Sequence, residues 1–114
     1  MFVYGNIMTL VNSKARVNRQ GMFAGLFYGC SGISDARRLN LPATVVSSNC
    51  YRAMFKGCTN LIYPPNVLPV TDVPKYAYRE MFSGCTSLLT APHIMATSLD
   101  TSSMEQMFRG CSSL

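Results

Sequence analysis

Apolar side chains recur along the chain at the spacing i, i+3 and i+4, and this group returns at nearly equal intervals in four places. Each group ends in the sequence Phe-x-Gly-Cys. The spacing is typical of one face of a short helix. The glycine predicts the end of that helix, because glycine takes a positive φ at low cost. The apolar groups are Phe23, Leu26 and Phe27; Tyr51, Met54 and Phe55; Tyr78, Met81 and Phe82; and Met104, Met107 and Phe108.

The intervals between equivalent positions indicate where the repeat varies in length. From one Phe-x-Gly-Cys cysteine to the next, the interval becomes shorter by a single residue each time. An aliphatic anchor lies at the same distance before the next cysteine in every unit, so the shortening occurs entirely between each cysteine and the anchor after it. A stack of repeats with one variable loop has this property. The cysteines are Cys30, Cys58, Cys85 and Cys111, and the anchors are Leu41, Leu68 and Ile94.

A short run of β-favouring residues follows each cysteine and stops at proline. Leu61-Ile62-Tyr63 stops at Pro64-Pro65, and Leu88-Leu89-Thr90 stops at Pro92. Because proline lacks a backbone donor, any strand there should be about three to five residues long. Each unit is therefore predicted to contain a short helix, a glycine turn, a short strand and a proline-bounded loop.

The octapeptide Met-Phe-x-Gly-Cys-[Thr/Ser]-[Asn/Ser]-Leu occurs at 54–61, 81–88 and 107–114. It resembles the repeat of the BspA-like leucine-rich-repeat proteins of bacterial surfaces, over roughly residues 21–114. The resemblance implies an α/β solenoid, a leucine-rich-repeat right-handed superhelix with short parallel strands, short helices and about 3.5 repeats. It also implies that these residues are a fragment of a longer chain.

The resemblance divides the chain into two parts. Residues 1–20 depart from the repeat and are expected to form an N-terminal flanking or cap segment. Residues 21–114 are expected to form the repeat array. Its units are about 23–50, 51–77, 78–103 and a truncated 104–114.

Composition and charge exclude several classes of protein. Hydrophobic residues make up 48% of the chain and charged residues only 13%, which excludes a disordered, highly charged tail. The sequence has no apolar run of about 18 residues and no secretion-signal pattern. The net charge is +5, of which residues 1–40 contribute +4. These cations are scattered among small polar residues, so we expect neither nucleic-acid binding nor membrane insertion.

The residues that could carry chemistry favour a protein without catalytic activity. The cysteine spacings fit no C-x2-C zinc pattern, so we predict buried, reduced and metal-free thiols, with a Cys30–Cys58 disulfide as the alternative. The only histidine, His93, lies in the variable loop without the Ser-containing elbow of a hydrolase. The five acidic residues form no pair at helical or strand spacing. We therefore predict no enzymatic activity and no cofactor.

Side chains between the core positions change from unit to unit, and repeat proteins bind partners through such positions. The loops at 37–40, 66–67 and 93 are further candidates, because loops on a rigid frame often carry function. The candidate partner-binding residues are Arg52, Lys56, Arg79, Glu80, Glu105, Arg109, Arg37, Arg38 and His93.

The resemblance implies a non-enzymatic protein, at the cell surface or secreted, that recognises a protein or glycan on a host or neighbouring cell. The alternatives are a structural spacer of a surface protein and a phage or mobile-element attachment protein. A binder should concentrate charged or aromatic side chains on one face, whereas a spacer should look alike around the coil. The apolar last unit also predicts that residues 104–114 either fray or associate end to end with another copy.

Overall fold

The structure is a computed structural model that describes residues 2–6 and 21–114. Within them, β1 pairs with β2, β3 with β5, and β4 with β6, and every pair is parallel. A single bridge between Asp35 and Tyr63 also connects β2 to the following unit. Apart from β1, the predicted flanking segment at 1–20 lies outside the described residues. The strands are β1 (Phe2–Asn6), β2 (Asp35–Asn40), β3 (Val67–Leu68), β4 (Asp72–Val73), β5 (His93–Ile94) and β6 (Ser98–Leu99).

The segments predicted to be helices form turns instead, so that prediction is wrong for the described residues. In the second of these segments Asn49, Ala53 and Gly57 have φ values of 60°, 54° and 75°. A positive φ at every fourth residue is incompatible with a right-handed helix. The same pattern recurs in the other three segments. We call the four of them turn segments 1 to 4, at 21–29, 48–57, 75–84 and 101–110.

Backbone hydrogen bonds explain why turns replace helices. The N–H of Met54 donates to the carbonyl of Tyr51, three residues earlier, at 3.2 Å. The next N–H, of Phe55, donates to the carbonyl of Met81 in turn segment 3, at 2.9 Å. The same alternation of local and cross-unit bonds runs along the first three turn segments. A helix would use all its interior donors within its own segment, whereas this arrangement joins each unit to the next.

The strands lie later in each unit than predicted. The runs 61–63 and 88–90 contain no strand, apart from the Tyr63 bridge. Residues 37–40 and 93, predicted as loops, belong to β2 and β5. Proline explains the shift, because the missing donors at Pro64-Pro65 and Pro92 interrupt the ladder, which resumes after them.

The core consists of side-chain columns that run through successive units. The Phe27, Phe55, Phe82 and Phe108 rings stack in order, with centroids 5.3, 5.4 and 5.7 Å apart. The inner two rings are fully buried and the outer two are partly buried, so the four equivalent phenylalanines form one column, called the phenylalanine column below. A second column contains Phe23, Tyr51 and Tyr78, and a third contains Met54, Met81 and Met107.

Candidate interaction surface

The hydrogen-bonded turn segments bring side chains from different units together. The cross-unit hydrogen bonds keep the same register between successive turn segments. A residue of one segment therefore lies beside the residue of the next segment that is the same number of positions before its own repeat cysteine. Arg52 and Arg79, for example, each lie six residues before their repeat cysteine. The N–H of Ala53, next to Arg52, donates to the carbonyl of Arg79 at 2.9 Å. Residues far apart in sequence therefore form one continuous surface.

An ionic network crosses turn segments 2, 3 and 4. The Lys56 ammonium forms an ion pair with Glu80. Arg79 Nε lies 3.7 Å from Glu80 Oε1, and Arg79 Nη2 lies 3.2 Å from Glu105 Oε1. The hydrogen bond from Lys56 holds the pKa of Glu80 below its usual value, and the positive charges of Arg79 and Arg52 act in the same direction. Glu80 is therefore an anion at neutral pH that fixes the cations around it.

Two tyrosines lie among these cations. The Tyr76 ring has Arg52, Lys75 and Arg79 at 5.9, 5.2 and 5.3 Å from its centroid. Lys56 lies 6.0 Å from the centroid of Tyr28, a side chain that is 61% exposed. Cation–π contacts of this kind hold long basic side chains near a ring face. We call the whole set the turn-face patch: Tyr28, Arg52, Lys56, Lys75, Tyr76, Arg79, Glu80 and Glu105.

Sequence reasoning missed Tyr28, Lys75 and Tyr76. A signal was present for Tyr76, whose position nine residues before the repeat cysteine is held by Gly21, Asn49 and Ser102 in the other units. A position with such varied occupants is not a core position, so an aromatic side chain there is a candidate for binding.

Arg109 lies in turn segment 4, outside the ionic network. Its Nη1 is 3.4 Å from Gln106 Oε1, and its side chain is exposed. Within the part of the chain that the structure describes, it forms no ion pair.

The other three predicted residues form a separate group on the strands. Arg37 pairs with Asp35 at 2.6 Å and lies 4.0 Å from the centroid of the Tyr63 ring. The hydrogen bonds from Arg37 lower the pKa of Asp35. Arg38 is exposed on β2 beside Arg37. His93 is exposed on β5.

Asn66 connects these strand residues. Its side-chain Nδ2 donates to the carbonyl of Arg37 at 3.2 Å, and its own carbonyl accepts from the N–H of His93 at 2.8 Å. A groove beside it is lined by Arg37, Asn40 and Val67, among others. The nine predicted residues therefore divide between the turn segments and the strand side.

The cysteines belong to the packing of the stack. The thiols of Cys58, Cys85 and Cys111 each donate to the carbonyl of a phenylalanine in the preceding unit, at 3.1 Å. Burial raises the pKa of Cys58 to about 11 and that of Cys85 to about 12. Because the thiolate is the reactive form, these groups are poor nucleophiles. All five cysteines are free thiols.

In residues 2–6 and 21–114, no three or more His, Cys, Asp or Glu side chains form a group that could hold a metal ion. The same residues contain no helix that is both long and apolar enough to cross a membrane. Comparison with known proteins found no matching family model, curated protein or solved structure. The family resemblance therefore rests on the repeat motif alone.

Proposed function

We propose that this chain is a non-enzymatic recognition module of a bacterial surface or secreted protein, and that it binds a protein or glycan through the turn-face patch. The fold that we propose is a leucine-rich-repeat-like solenoid whose coils contain turn segments in place of helices. The repeated octapeptide supports the family, and the parallel pairing of successive units supports the solenoid.

The observation that carries the proposal is the contrast between core and surface within the turn segments. The inward positions repeat the same residue types, as in the phenylalanine column. Most outward positions change residue type from unit to unit, although Arg52 and Arg79 are equivalent. Five basic or aromatic side chains gather there around two carboxylates: Arg52, Lys56, Lys75, Tyr76 and Arg79 around Glu80 and Glu105. Clustered aromatic and arginine side chains are typical of binding surfaces.

The charge of the patch indicates the chemistry of the partner. Each carboxylate is already paired, whereas Arg52 and Lys75 contact Tyr76 and have no ion pair among the described residues. Such cations can still bind an anionic group, and the Tyr76 ring can pack against the partner's apolar surface. A glycan with acidic sugars and an acidic protein surface both fit this description.

The test is binding of the purified chain to immobilised neutral and acidic glycans and to purified extracellular-matrix proteins. The double variant Arg52→Ser/Arg79→Ser removes two positive charges from the turn-face patch. The variant Arg37→Ser/Arg38→Ser removes the same charge from the strand side and serves as the matched control. Circular dichroism establishes that both variants are folded.

The proposal expects binding to at least one acidic ligand, with affinity reduced at least tenfold by the turn-face variant and little changed by the control. An equal loss in both variants would show that net charge rather than the patch is responsible. Absence of binding by the native chain to every ligand would contradict a recognition role and favour a structural spacer.

A further inference from the structure

The Tyr76 ring has three cations around it on the inner part of the stack. Arg52, Lys75 and Arg79 place their charged groups 5.2 to 5.9 Å from the centroid of this ring. All four residues lie on turn segments 2 and 3, and each of these segments is hydrogen-bonded to another turn segment on both sides. Lys75 is exposed and the other three are half-buried. This group of side chains therefore belongs to the continuous surface of the stack.

The backbone of Tyr76 is in an unfavourable conformation for an aromatic residue. Its φ is 60°, in the left-handed region, where bulky residues are rare and glycine or asparagine is favoured. Turn segments 1 and 2 have Gly21 and Asn49 at the equivalent position, with φ values of 65° and 60°. Local folding therefore gives no reason for an aromatic side chain here. Strain of this kind is typical of functional sites.

The cations around Tyr76 are only partly neutralised. The turn-face patch contains four basic and two acidic side chains, so its net charge is +2. The two carboxylates pair with Lys56 and Arg79. Arg52 and Lys75 have no ion pair among the described residues. Because like charges repel at short range, an anion placed between these cations is attracted by all of them.

Arg79 has hydrogen-bond donors that its two carboxylate neighbours do not use. Its Nη2 lies 3.2 Å from Glu105 Oε1. Its Nε is buried without a hydrogen-bond partner in the described part of the chain, and lies 3.7 Å from Glu80 Oε1. A buried donor without a partner is destabilising. An anion that accepts two parallel bonds from the guanidinium therefore satisfies Arg79 better than Glu105 does.

The number of cations indicates the shape of the anion. A carboxylate offers two oxygens, whereas a phosphate ester offers three strong acceptor oxygens and a sulfate ester has the same tetrahedral shape. Three cations around one ring match three oxygens. The turn-face patch has eight residues, whereas a stable protein interface uses about 20 to 30 residues on each side. A small charged group on a glycan therefore fits the patch better than an acidic protein surface.

We propose that Arg52, Lys75 and Arg79 bind a sulfate or phosphate ester group of a glycan beside the Tyr76 ring, and that this group replaces Glu105 on Arg79. The ring holds the three cations in one place through cation–π contacts. Because Glu105 already supplies a carboxylate, a ligand that offers only carboxylates gains little by replacing it. This inference rests on the proposed function and specifies the ligand of the same patch.

The first experiment compares polyanions that differ in their charged group. Dextran sulfate, dextran phosphate, carboxymethyl dextran and poly-glutamate are matched in length and number of charged groups, and calorimetry at fixed ionic strength measures their binding to the native chain. Both ester polymers, or one of them, should bind about tenfold or more tightly than both carboxylate polymers. The tighter ester identifies the ligand as sulfated or phosphorylated.

Two results of this comparison would overturn the inference. Carboxylate polymers that bind as tightly as the esters would do so, although recognition of acidic ligands through the turn-face patch would stand. Failure of both ester polymers to bind would also overturn it, whereas the proposed function fails only if the wider set of glycans and matrix proteins gives no binding.

The second experiment tests the role of Glu105. Glu105→Gln releases Arg79 without removing a cation, and Asp72→Asn removes the same negative charge from β4 as the matched control. Glu105→Gln should bind the ester polymer about threefold or more tightly than Asp72→Asn does. Equal affinities of the two variants would show that only net charge matters and would contradict the replacement of Glu105.

The third experiment separates binding from folding at Tyr76. Tyr76→Asn introduces the residue that turn segment 2 has at this position, Asn49, so the backbone conformation is retained. Its affinity for the ester polymer should fall about tenfold, while its melting temperature should not fall. Unchanged affinity would overturn the role of the ring in binding. A lower melting temperature would also overturn it, because the ring would then be needed for the fold.

Discussion

The rings of Phe55 and Phe82 stack with centroids 5.4 Å apart and planes 5° apart, although they belong to different units of the repeat. Both side chains are fully buried. Aromatic pairs at this separation attract each other beyond the area that they bury. Equivalent rings stack in the same way between the other units, so the phenylalanine column forms a continuous part of the core.

Truncation of an inner ring should therefore be much more harmful than truncation of an end ring. We expect Phe82→Ala to lower the free energy of unfolding by about 3 to 5 kcal/mol, because it opens a cavity between two stacked rings. Phe108→Ala should lower it by less, since that ring is partly exposed and stacks on one side only. Urea denaturation of both variants measures the difference, and equal losses would contradict the column as described.

The conformation of the turn segments predicts opposite effects for two neighbouring substitutions. Ala53 has φ 54°, which costs a residue with a Cβ about 1 to 2 kcal/mol. Ala53→Gly should therefore stabilise the protein by up to about 1 kcal/mol, after the greater entropy of glycine in the unfolded chain is counted. Gly57→Ala, at φ 75°, should destabilise it by about 1 to 2 kcal/mol. Thermal denaturation that shows both changes in the same direction would contradict the alternating turns.

The repeat and its core could be predicted from the sequence, whereas the backbone of the turn segments could not. The apolar positions Tyr51, Met54 and Phe55 fit one helix face, and the structure also turns all three inward. In the turn segments, every second N–H donates to the next unit. This conformation places the side chains of these three residues on one side of the segment, as a helix would. The difference lies in cross-unit backbone bonds, which the local side-chain pattern does not encode.

The residues of the candidate site could likewise be predicted only in part from the sequence. The sequence predicts Arg52, Lys56 and Arg79 because they lie at variable positions between core residues. In the structure Lys56 and Arg79 form ion pairs with Glu80, and Arg52 lies over the Tyr76 ring beside them. Tyr76 was missed because its contacts with basic side chains depend on how successive segments align. The sequence predicts a loop at His93, directly after Pro92, whereas His93 lies in β5.

The buried thiols predict a loss of stability in alkali. The ordinary pKa of a cysteine here is 9.0, and burial raises that of Cys85 to about 12 in the folded state. Above about pH 9 the unfolded chain releases the proton while the folded chain retains it, so stability falls, by about 1.4 kcal/mol per pH unit for each such thiol. Below pH 9 this group contributes no pH dependence.

Urea denaturation at a series of pH values between 8 and about 11 measures this effect. Cys85→Ala should be less stable at neutral pH, because it removes a buried side chain, yet its stability should decline less steeply with pH. A native chain whose stability is constant up to pH 11 would contradict the burial of these thiols.

The hydroxyl of Tyr51 predicts a substitution that makes the protein more stable. The side chain is fully buried, and its oxygen has no hydrogen-bond partner within the described residues, although the Cys50 thiol lies beside it. A buried hydroxyl without a partner is destabilising by about 1 to 3 kcal/mol. Tyr51→Phe should therefore raise the free energy of unfolding by about 1 kcal/mol. Phe23 already occupies the equivalent position in the first unit. A less stable Tyr51→Phe protein in urea denaturation would show that the hydroxyl has a partner.

The central claim is that turn segments bind one another through alternate backbone N–H groups. Scalar couplings transmitted through hydrogen bonds, measured by NMR on uniformly labelled protein, test it most directly. We expect the amide nitrogen of Phe55 to couple to the carbonyl carbon of Met81, since the structure joins them by a bond of 2.9 Å. A coupling from Phe55 to the carbonyl of Tyr51, four residues earlier, would instead indicate a helix and contradict the account.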